Sequence, residues 1–196
     1  MYKIQAIPTL YKGRQYRSRL EAKWASFFDT VGWAYEYEPF DLGEWSPDFL
    51  LKTNGGKCDV LVEVKPITQR DQNVCNKMER AARTAGWDKD LLLLGSSLAL
   101  NQKCLIGSAA LGWLGERMKV ENYYVWAPGL ATLFYQSSNG YLEQIDFCHD
   151  LISYDGRLTS SGLERSGHPR SLEREQAEHI WNQAANAVQW HKSKRS

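Results

Sequence analysis

Charged residues interrupt stretches of this sequence that are otherwise apolar and are expected to be buried. They are Glu21, Asp48, Glu63 and Lys65. A buried charge is costly unless a partner group neutralises it or donates hydrogen bonds to it. The chain must therefore fold so that these groups meet. Acids that converge with too few basic neighbours attract a divalent cation, so a Mg²⁺-type site is the first hypothesis.

Length and composition predict an ordinary globular chain. Its 196 residues suit one domain or one domain with a small appendage, with 43% hydrophobic and 24% charged residues. No apolar run reaches the roughly 18 residues of a membrane-spanning helix. The first residues lack the apolar stretch of a signal peptide, so a cytoplasmic location is expected. A net charge of +1 leaves any nucleic-acid contact to local basic clusters, found at 12–23 and 192–195.

Periodicity predicts a helix, three strands, a helix and a fourth strand in the first half of the chain. The first helix opens at Ser18 and stops at Gly32, with an apolar stripe between them. The remaining elements are expected at 33–38, 47–51, 58–64, 69–85 and 91–94. A turn signal at 53–56 predicts that the second and third strands form a hairpin. The third strand is apolar on one face and mixed on the other, which indicates a central strand with a site at its end.

The second half is predicted to be β-rich and to end in a helix. Residues 98–120 suggest a short strand at 104–106 and an unassigned turn or helix. Alternating strands are expected at 123–127, 130–135 and 141–147, with turns at 128–129 and 138–140, giving a β-meander. Residues 153–171 are polar and predict a linker, after which Ser171 caps a last helix that packs back on the domain or on a partner. The predicted organisation is a core at 1–97, a β-rich extension packed on it at 98–152, and a loop, helix and basic tail at 153–196.

The chemistry of the charged set follows from strand geometry. Glu63 and Lys65 are two residues apart on one strand and point the same way, with the carbonyl of Val64 between them. Asp48, on a neighbouring antiparallel strand, can approach Glu63. Two carboxylates and a carbonyl are hard oxygen ligands that suit Mg²⁺ or Mn²⁺. A lysine beside them can hold an attacking water or neutralise charge on a phosphate, which is the chemistry of phosphodiester hydrolysis.

Glu21 has two roles open to it. Ser18-x-x-Glu21 is a capping-box pattern, in which the glutamate serves only the helix end. Glu21 also lies seven residues before Phe28, nearly two helical turns, and so leans toward the buried stripe. The two roles are compatible. Taken singly, Asp48 also suits a turn, and Glu63 and Lys65 also suit an exposed ion pair. The site hypothesis therefore depends on the joint occurrence of these residues.

The pattern Glu21, Pro47-Asp48, Glu63-Val64-Lys65 resembles that of the PD-(D/E)XK nuclease superfamily over about residues 17–95. The stretch is also similar to small phage-encoded nucleases and to the endonuclease subunit of some transposition systems. The resemblance implies an α/β fold with a restriction-endonuclease-like αβββαβ core and a mixed central sheet. It implies that Asp48, Glu63 and the Val64 carbonyl bind Mg²⁺ or Mn²⁺, that Glu21 binds it directly or through water, and that Lys65 is catalytic.

The activity implied is that of a metal-dependent DNA endonuclease, with DNA as partner and a protein partner or second copy of the chain as a further candidate. Arg17, Arg19 and Lys23 on the first helix would contact phosphates near the cut. Gln69, Gln72 and Lys77 are secondary candidates, with a solvated helix face as the alternative. Exonucleases of the RecB-like branch carry a glutamine and a tyrosine on the following helix. No tyrosine follows here, which argues against that branch.

An alternative class is a nuclease-fold module that binds DNA or a protein within a larger recombination, transposition or phage assembly. The near-neutral charge and the long C-terminal half favour it, whereas the intact acid set argues against it. A metal enzyme acting on RNA or small phosphates is a third hypothesis. The glycines at 107 and 112 lack the lysine and spacing of a phosphate-binding loop, and no G-x-S-x-G elbow supports a serine hydrolase.

Overall fold

The computed structural model describes residues 6–53, 58–99, 109–120, 123–138, 142–150 and 170–188. Within these residues it is a mixed α/β structure, as the sequence predicts. The elements are, in chain order, β1 Thr9–Tyr11, β2 Arg14–Tyr16, α1 Arg19–Val31, β3 Ala34–Tyr37, β4 Phe49–Thr53, β5 Cys58–Val64, α2 Gln72–Thr84, β6 Asp90–Leu94, β7 Ala110–Val120, β8 Tyr123–Ser138, β9 Leu142–Asp150, β10 Arg170–Ser171 and α3 Arg174–Ala187.

The main sheet has the strand order β10-β8-β7-β6-β5-β4-β3, with β9 paired to β8, and β1 and β2 form a separate hairpin. β4 and β5 pair antiparallel, which confirms the predicted hairpin partners. β5 and β6 pair in parallel, and α2 is the crossover that this pairing requires. The order α1-β3-β4-β5-α2-β6 is the predicted helix, three strands, helix and strand. β5 lies inside the sheet, as its apolar face predicts.

The helices cover both faces of the sheet. On one face, α1 buries Trp24, Phe27 and Phe28 against the alternating valines of β5, and Trp181 of α3 lies 4.6 Å from the Trp24 ring centre. The last helix therefore packs back on the domain, as predicted. On the other face, α2 contributes Met78 to a second cluster. Alternate residues of β5 thus face different helices, which fixes the side on which each β5 side chain points.

Capping residues set the ends of α1 as the sequence predicts. Ser18 is the N-cap, and its hydroxyl oxygen accepts a hydrogen bond from the backbone N–H of Glu21. Gly32 ends the helix in the left-handed region, with a φ of 77° that favours glycine. The last helix does not begin as predicted. Its N-cap is Glu173, whereas Ser171 belongs to β10 and pairs with Phe134.

The predicted meander is right only in part. Its first two strands, at 123–127 and 130–135, form one strand, β8, which pairs with β9, so the predicted turn at Pro128-Gly129 is wrong. β8 runs through both residues as one strand, with Pro128 opposite Gly115 of β7. Proline lacks an N–H, and it is tolerated because the described pairing of β9 with β8 covers only Leu130 to Ser138. β7 itself was not predicted as a strand. Gly112 interrupts the side-chain pattern from which a strand is predicted. The structure nevertheless requires glycine at this position, because a Cβ there would stand 2.5 Å from the Leu93 carbonyl oxygen of β6.

Several predictions lie outside the described residues. They are the strand at 104–106, the central turn residues at 54–56 and 139–140, the linker at 153–169 and the basic tail at 192–195. The predicted three-part organisation stays a prediction, although β7 and β8 continue the sheet that β3 to β6 begin. Among the described residues, no helix has the length and apolar character needed to cross a membrane.

Candidate active site

The three acids predicted for the site lie at one end of the β4–β5 pair and are buried. Glu21 lies in the first turn of α1, Asp48 immediately before β4, and Glu63 near the end of β5. Because β4 and β5 are antiparallel, the start of one adjoins the end of the other. The exposed fractions of the three residues are 7%, 3% and 6% respectively. Their charges therefore depend on protein groups, or on a bound ion, for neutralisation.

A backbone hydrogen bond holds Asp48 against β5. Its N–H donates to the carbonyl of Val62 at 2.9 Å, one residue before β4 begins with the pair Phe49 and Val62. Asp48 Oδ2 in turn accepts a 2.7 Å hydrogen bond from the backbone N–H of Val64. The predicted aspartate and the predicted carbonyl-bearing residue are therefore directly joined.

Glu63 points toward the α2 face of the sheet, together with its alternate neighbour Leu61. Its Oε2 accepts a 2.7 Å hydrogen bond from the buried indole N–H of Trp45. Its Oε1 forms an ion pair with Nζ of Lys65. Trp45 was not among the predicted site residues. Its only signal in the sequence is a tryptophan three residues before Asp48, in a segment without strand or helix periodicity.

Glu21 combines a place at the capped start of α1 with a buried carboxylate, and its predicted role in a metal site stays a prediction. Its Oε1 accepts from the Ser18 hydroxyl at 2.7 Å, and its Oε2 accepts from the Tyr37 hydroxyl at 2.5 Å. Burial and the hydrogen bond to Glu21 raise the pKa of Tyr37, which keeps this phenol protonated as a donor. Sequence analysis placed Tyr37 in a strand without assigning it to the site.

Arg17 does not lie on the first helix, and this prediction is wrong. It precedes the N-cap residue, and its guanidinium contacts the acids while the side chain stays half-exposed. Nη2 lies 2.5 Å from Asp48 Oδ1, and Nε lies 2.7 Å from Glu38 Oε1 and 3.9 Å from Glu21 Oε2. Arg17 is therefore the cation that connects the carboxylates in this structure.

The acids influence one another electrostatically. Burial, followed by the negative charges of Glu63 and Glu21, raises the pKa of Asp48 to about 7. The Val64 N–H and the Lys65 ammonium oppose this rise, and so does the contact with Arg17. When Asp48 is ionised, the carboxylates of Glu21, Glu38, Asp48 and Glu63 outnumber the cations of Arg17 and Lys65 by two. A divalent cation would balance that excess.

The other predicted contact residues make no described hydrogen bond or ion pair with these acids. Arg19 is exposed at the start of α1, and Lys23 is half-buried one turn further along. Gln69 precedes α2, which begins at Gln72, so its predicted place on that helix is wrong. The Gln72 amide is bonded to Arg70 and Asn76. Lys77 is exposed on α2.

The oxygen atoms and the negative charge of these acids suit a hard cation. In this structure, however, Asp48 is paired with Arg17 and Glu63 with Lys65. Within the ranges that the structure describes, no three Asp, Glu, His or Cys side chains are grouped so as to hold a metal ion. Glu21 approaches from the α1 side and Glu63 from the α2 side, with Arg17 on the intervening Asp48. Oxygen donors, burial and a negative excess are nevertheless the properties that Mg²⁺ and Mn²⁺ require.

No family model matches the chain, and neither a curated protein nor a solved structure matches it. A functional assignment therefore depends on the element order and on the residues of the site.

Proposed function

We propose that this chain is a metal-dependent DNA endonuclease of the PD-(D/E)XK type. The observation that carries the proposal is the pair Asp48 and Glu63, buried at adjoining strand ends and linked through the backbone of Val64. The order α1-β3-β4-β5-α2-β6 supports a restriction-endonuclease-like core around that pair. Buried carboxylates with this much unbalanced charge destabilise a fold, so their presence favours a function over a structural role.

The ligands of the ion would be Asp48, Glu63 and the Val64 carbonyl, with Glu21 binding directly or through water. When bound, Mg²⁺ or Mn²⁺ supplies Lewis-acid stabilisation of a phosphate and lowers the pKa of a water molecule. Trp45 and Tyr37 fix the orientation of Glu63 and Glu21 through the hydrogen bonds they donate. Such partners decide whether a carboxylate is presented in a productive direction.

Lys65 is the catalytic cation in this proposal. It follows the end of β5, and its side chain is 41% exposed while it remains paired with Glu63. Its ammonium group therefore reaches the solvent side, where a phosphodiester would lie. There it holds the attacking water and stabilises the charge that develops on the phosphate.

A second function is favoured by one specific observation. Arg17 and Lys65 already neutralise Asp48 and Glu63, as expected if a nuclease fold serves only to bind DNA or a protein. Such a module would act within a recombination, transposition or phage assembly. Tight DNA binding without cleavage under any divalent cation would support this function against the first.

Cleavage of supercoiled plasmid distinguishes the two functions. With Mg²⁺ or Mn²⁺, we expect nicked and linear products, and none with a chelator. Lys65→Ala is expected to lower the cleavage rate by about 100-fold or more. Lys52→Ala is the matched control, because it removes a lysine from the ion pair with Asp59 at the opposite end of the β4–β5 pair. Full activity in Lys65→Ala would refute the site, and linear, branched and single-stranded substrates tested in parallel would define its preference.

A further inference from the structure

Arg17 occupies the position from which a divalent cation would neutralise Asp48. Its guanidinium contacts Asp48 Oδ1 at 2.5 Å and Glu38 Oε1 at 2.7 Å, within 3.9 Å of Glu21. The Asp48 side chain is 4% exposed, so very few other groups have access to this oxygen. The geometry points to Arg17 as an internal placeholder that competes with the metal ion for the acid site. This inference rests on the function proposed above.

The Arg17 side chain can turn away from Asp48 while its backbone stays in place. The Arg17 side chain is 54% exposed, although its charged head lies on buried acids. The backbone of the same residue is held in place, because its N–H donates to the Tyr37 hydroxyl at 3.0 Å. Arg17 therefore has a fixed main chain at the start of α1 and a side chain that can turn outward to solvent.

Glu38 supplies an alternative partner for the displaced guanidinium. It lies just after β3, its carboxylate is 43% exposed, and its N–H donates to the Asp48 carbonyl at 2.9 Å. Its φ is 47°, in the left-handed region that a non-glycine residue adopts only at a cost in free energy. This conformation keeps an acid beside Arg17 and outside the buried set. Arg17 can thus give up Asp48 while retaining Glu38.

Competition of this kind lowers the apparent affinity for a metal ion. A cation that binds Asp48 must first displace the guanidinium, so only the displaced fraction of molecules is competent to bind. Removing Arg17 leaves a more negative site without a competitor. If Arg17 had a purely structural role, its removal would loosen the site. The affinity for the metal ion would then fall or stay unchanged.

Calorimetric titration of Mn²⁺ into metal-free protein tests the inference without a measurement of activity. We expect Arg17→Gln to bind Mn²⁺ about tenfold or more tightly than the wild type. Arg17→Lys is expected to lie between them, because an ammonium group lacks the rigid, spaced donors with which a guanidinium pairs with two carboxylates. Lys52→Gln is the control, since it removes a cation from the half-buried pair with Asp59, and its affinity is expected to equal that of the wild type.

Thermal unfolding of the same variants gives a second readout. Without metal, Arg17→Gln is expected to unfold at a lower temperature than the wild type, and saturating Mn²⁺ is expected to raise its Tm by more. If the wild type binds Mn²⁺ and Arg17→Gln binds it equally tightly or more weakly, the inference about Arg17 is wrong. The proposal of a nuclease is unaffected by that result. If Arg17→Gln does not fold, Arg17→Lys takes its place. The inference about Arg17 is then wrong if Arg17→Lys binds Mn²⁺ no more tightly than the wild type. Absence of Mn²⁺ binding by every variant and by the wild type refutes both.

Discussion

The indole N–H of Trp45 donates a 2.7 Å hydrogen bond to Oε2 of Glu63, and both residues are buried. The loop that carries Trp45 contacts α2 and the turn that follows α2. Glu44 forms a 2.7 Å ion pair with Arg80, and the Phe40 ring lies 5.9 Å from the ring of Trp87. The loop therefore acts as a support that directs a buried carboxylate, and the site extends beyond the residues of the acid motif.

Trp45→Phe is expected to weaken Mn²⁺ binding by about 10- to 100-fold, because it removes the donor that orients Glu63 and retains most of the ring. Calorimetry measures the affinity. Trp126→Phe is the matched control, since it removes an indole hydrogen bond to the Lys89 carbonyl at the opposite end of β6. Equal affinities in Trp45→Phe, Trp126→Phe and the wild type would show that the Trp45 hydrogen bond has no part in metal binding.

The stability of the metal-free protein is expected to fall as the pH rises from about 4 to about 7. Asp48 has a pKa of about 7 in the folded protein, above its ordinary value of 3.8. The folded state holds this proton more tightly than the unfolded state, so the contribution is full below pH 3.8 and is lost as the pH passes 7. The loss amounts to at most about 4 kcal/mol in the free energy of unfolding. Urea unfolding at a series of pH values measures it.

Asp48→Asn removes the titrating group and can still offer an oxygen to the Val64 N–H, but it also removes the ion pair with Arg17. Its stability is expected to change less between pH 4 and 7 than that of the wild type. A wild-type profile that rises over this interval, or one that Asp48→Asn reproduces, would contradict the raised pKa.

Tyr37→Phe is expected to destabilise the protein by roughly 1–3 kcal/mol, because it leaves the buried Glu21 carboxylate without one of its donors. The Arg17 N–H loses its acceptor as well. Tyr35→Phe is the comparison, since the Tyr35 hydroxyl bonds at 3.2 Å to the neutral hydroxyl of Tyr16, and its loss is expected to have a smaller effect. Urea unfolding compares the two, and equal losses of stability would count against a special role for the Tyr37–Glu21 bond.

In the proposed nuclease, Arg19 and Lys23 are expected to contact DNA phosphates. They are four residues apart on α1 and so share one face of that helix, and neither forms an ion pair with a described residue. Each alanine substitution is expected to weaken DNA binding across sequences and to reduce the slope of log affinity against log salt by about 1. Binding is measured with Ca²⁺ in place of Mg²⁺. Lys89→Ala is the control, because Lys89 precedes β6 and lies at the opposite end of the sheet. Unchanged slopes in all three variants would remove α1 from the interface.

Local signals in the sequence were sufficient to predict the helix and strands that surround the site. Ser18 and Gly32 mark the ends of α1, and the alternating valines of β5 predict its two faces, because caps and periodicity depend on neighbouring residues. Burial of the acids also followed from their apolar surroundings. The sequence did not reveal that Arg17 turns back onto Asp48, because that contact spans 31 residues and depends on a short hairpin that it did not predict.

The remaining differences arise from contacts between distant strands. A proline and a glycine inside β8 resemble a turn, and only the pairing with β7 shows that they continue a strand. Trp45 is a comparable case. A single tryptophan in a loop predicts no partner by itself, and its role depends on Glu63, which lies on another element 18 residues away.

Crystals grown with Mn²⁺ at pH 8, with diffraction measured above the manganese absorption edge, test the central claim most directly. We predict an anomalous peak within about 2–2.5 Å of carboxylate oxygens of Asp48 and Glu63 and of the Val64 carbonyl, with Arg17 displaced from Asp48 Oδ1. Crystals saturated with Mn²⁺ that show no peak at these oxygens, and in which Arg17 still pairs with Asp48, would contradict the account.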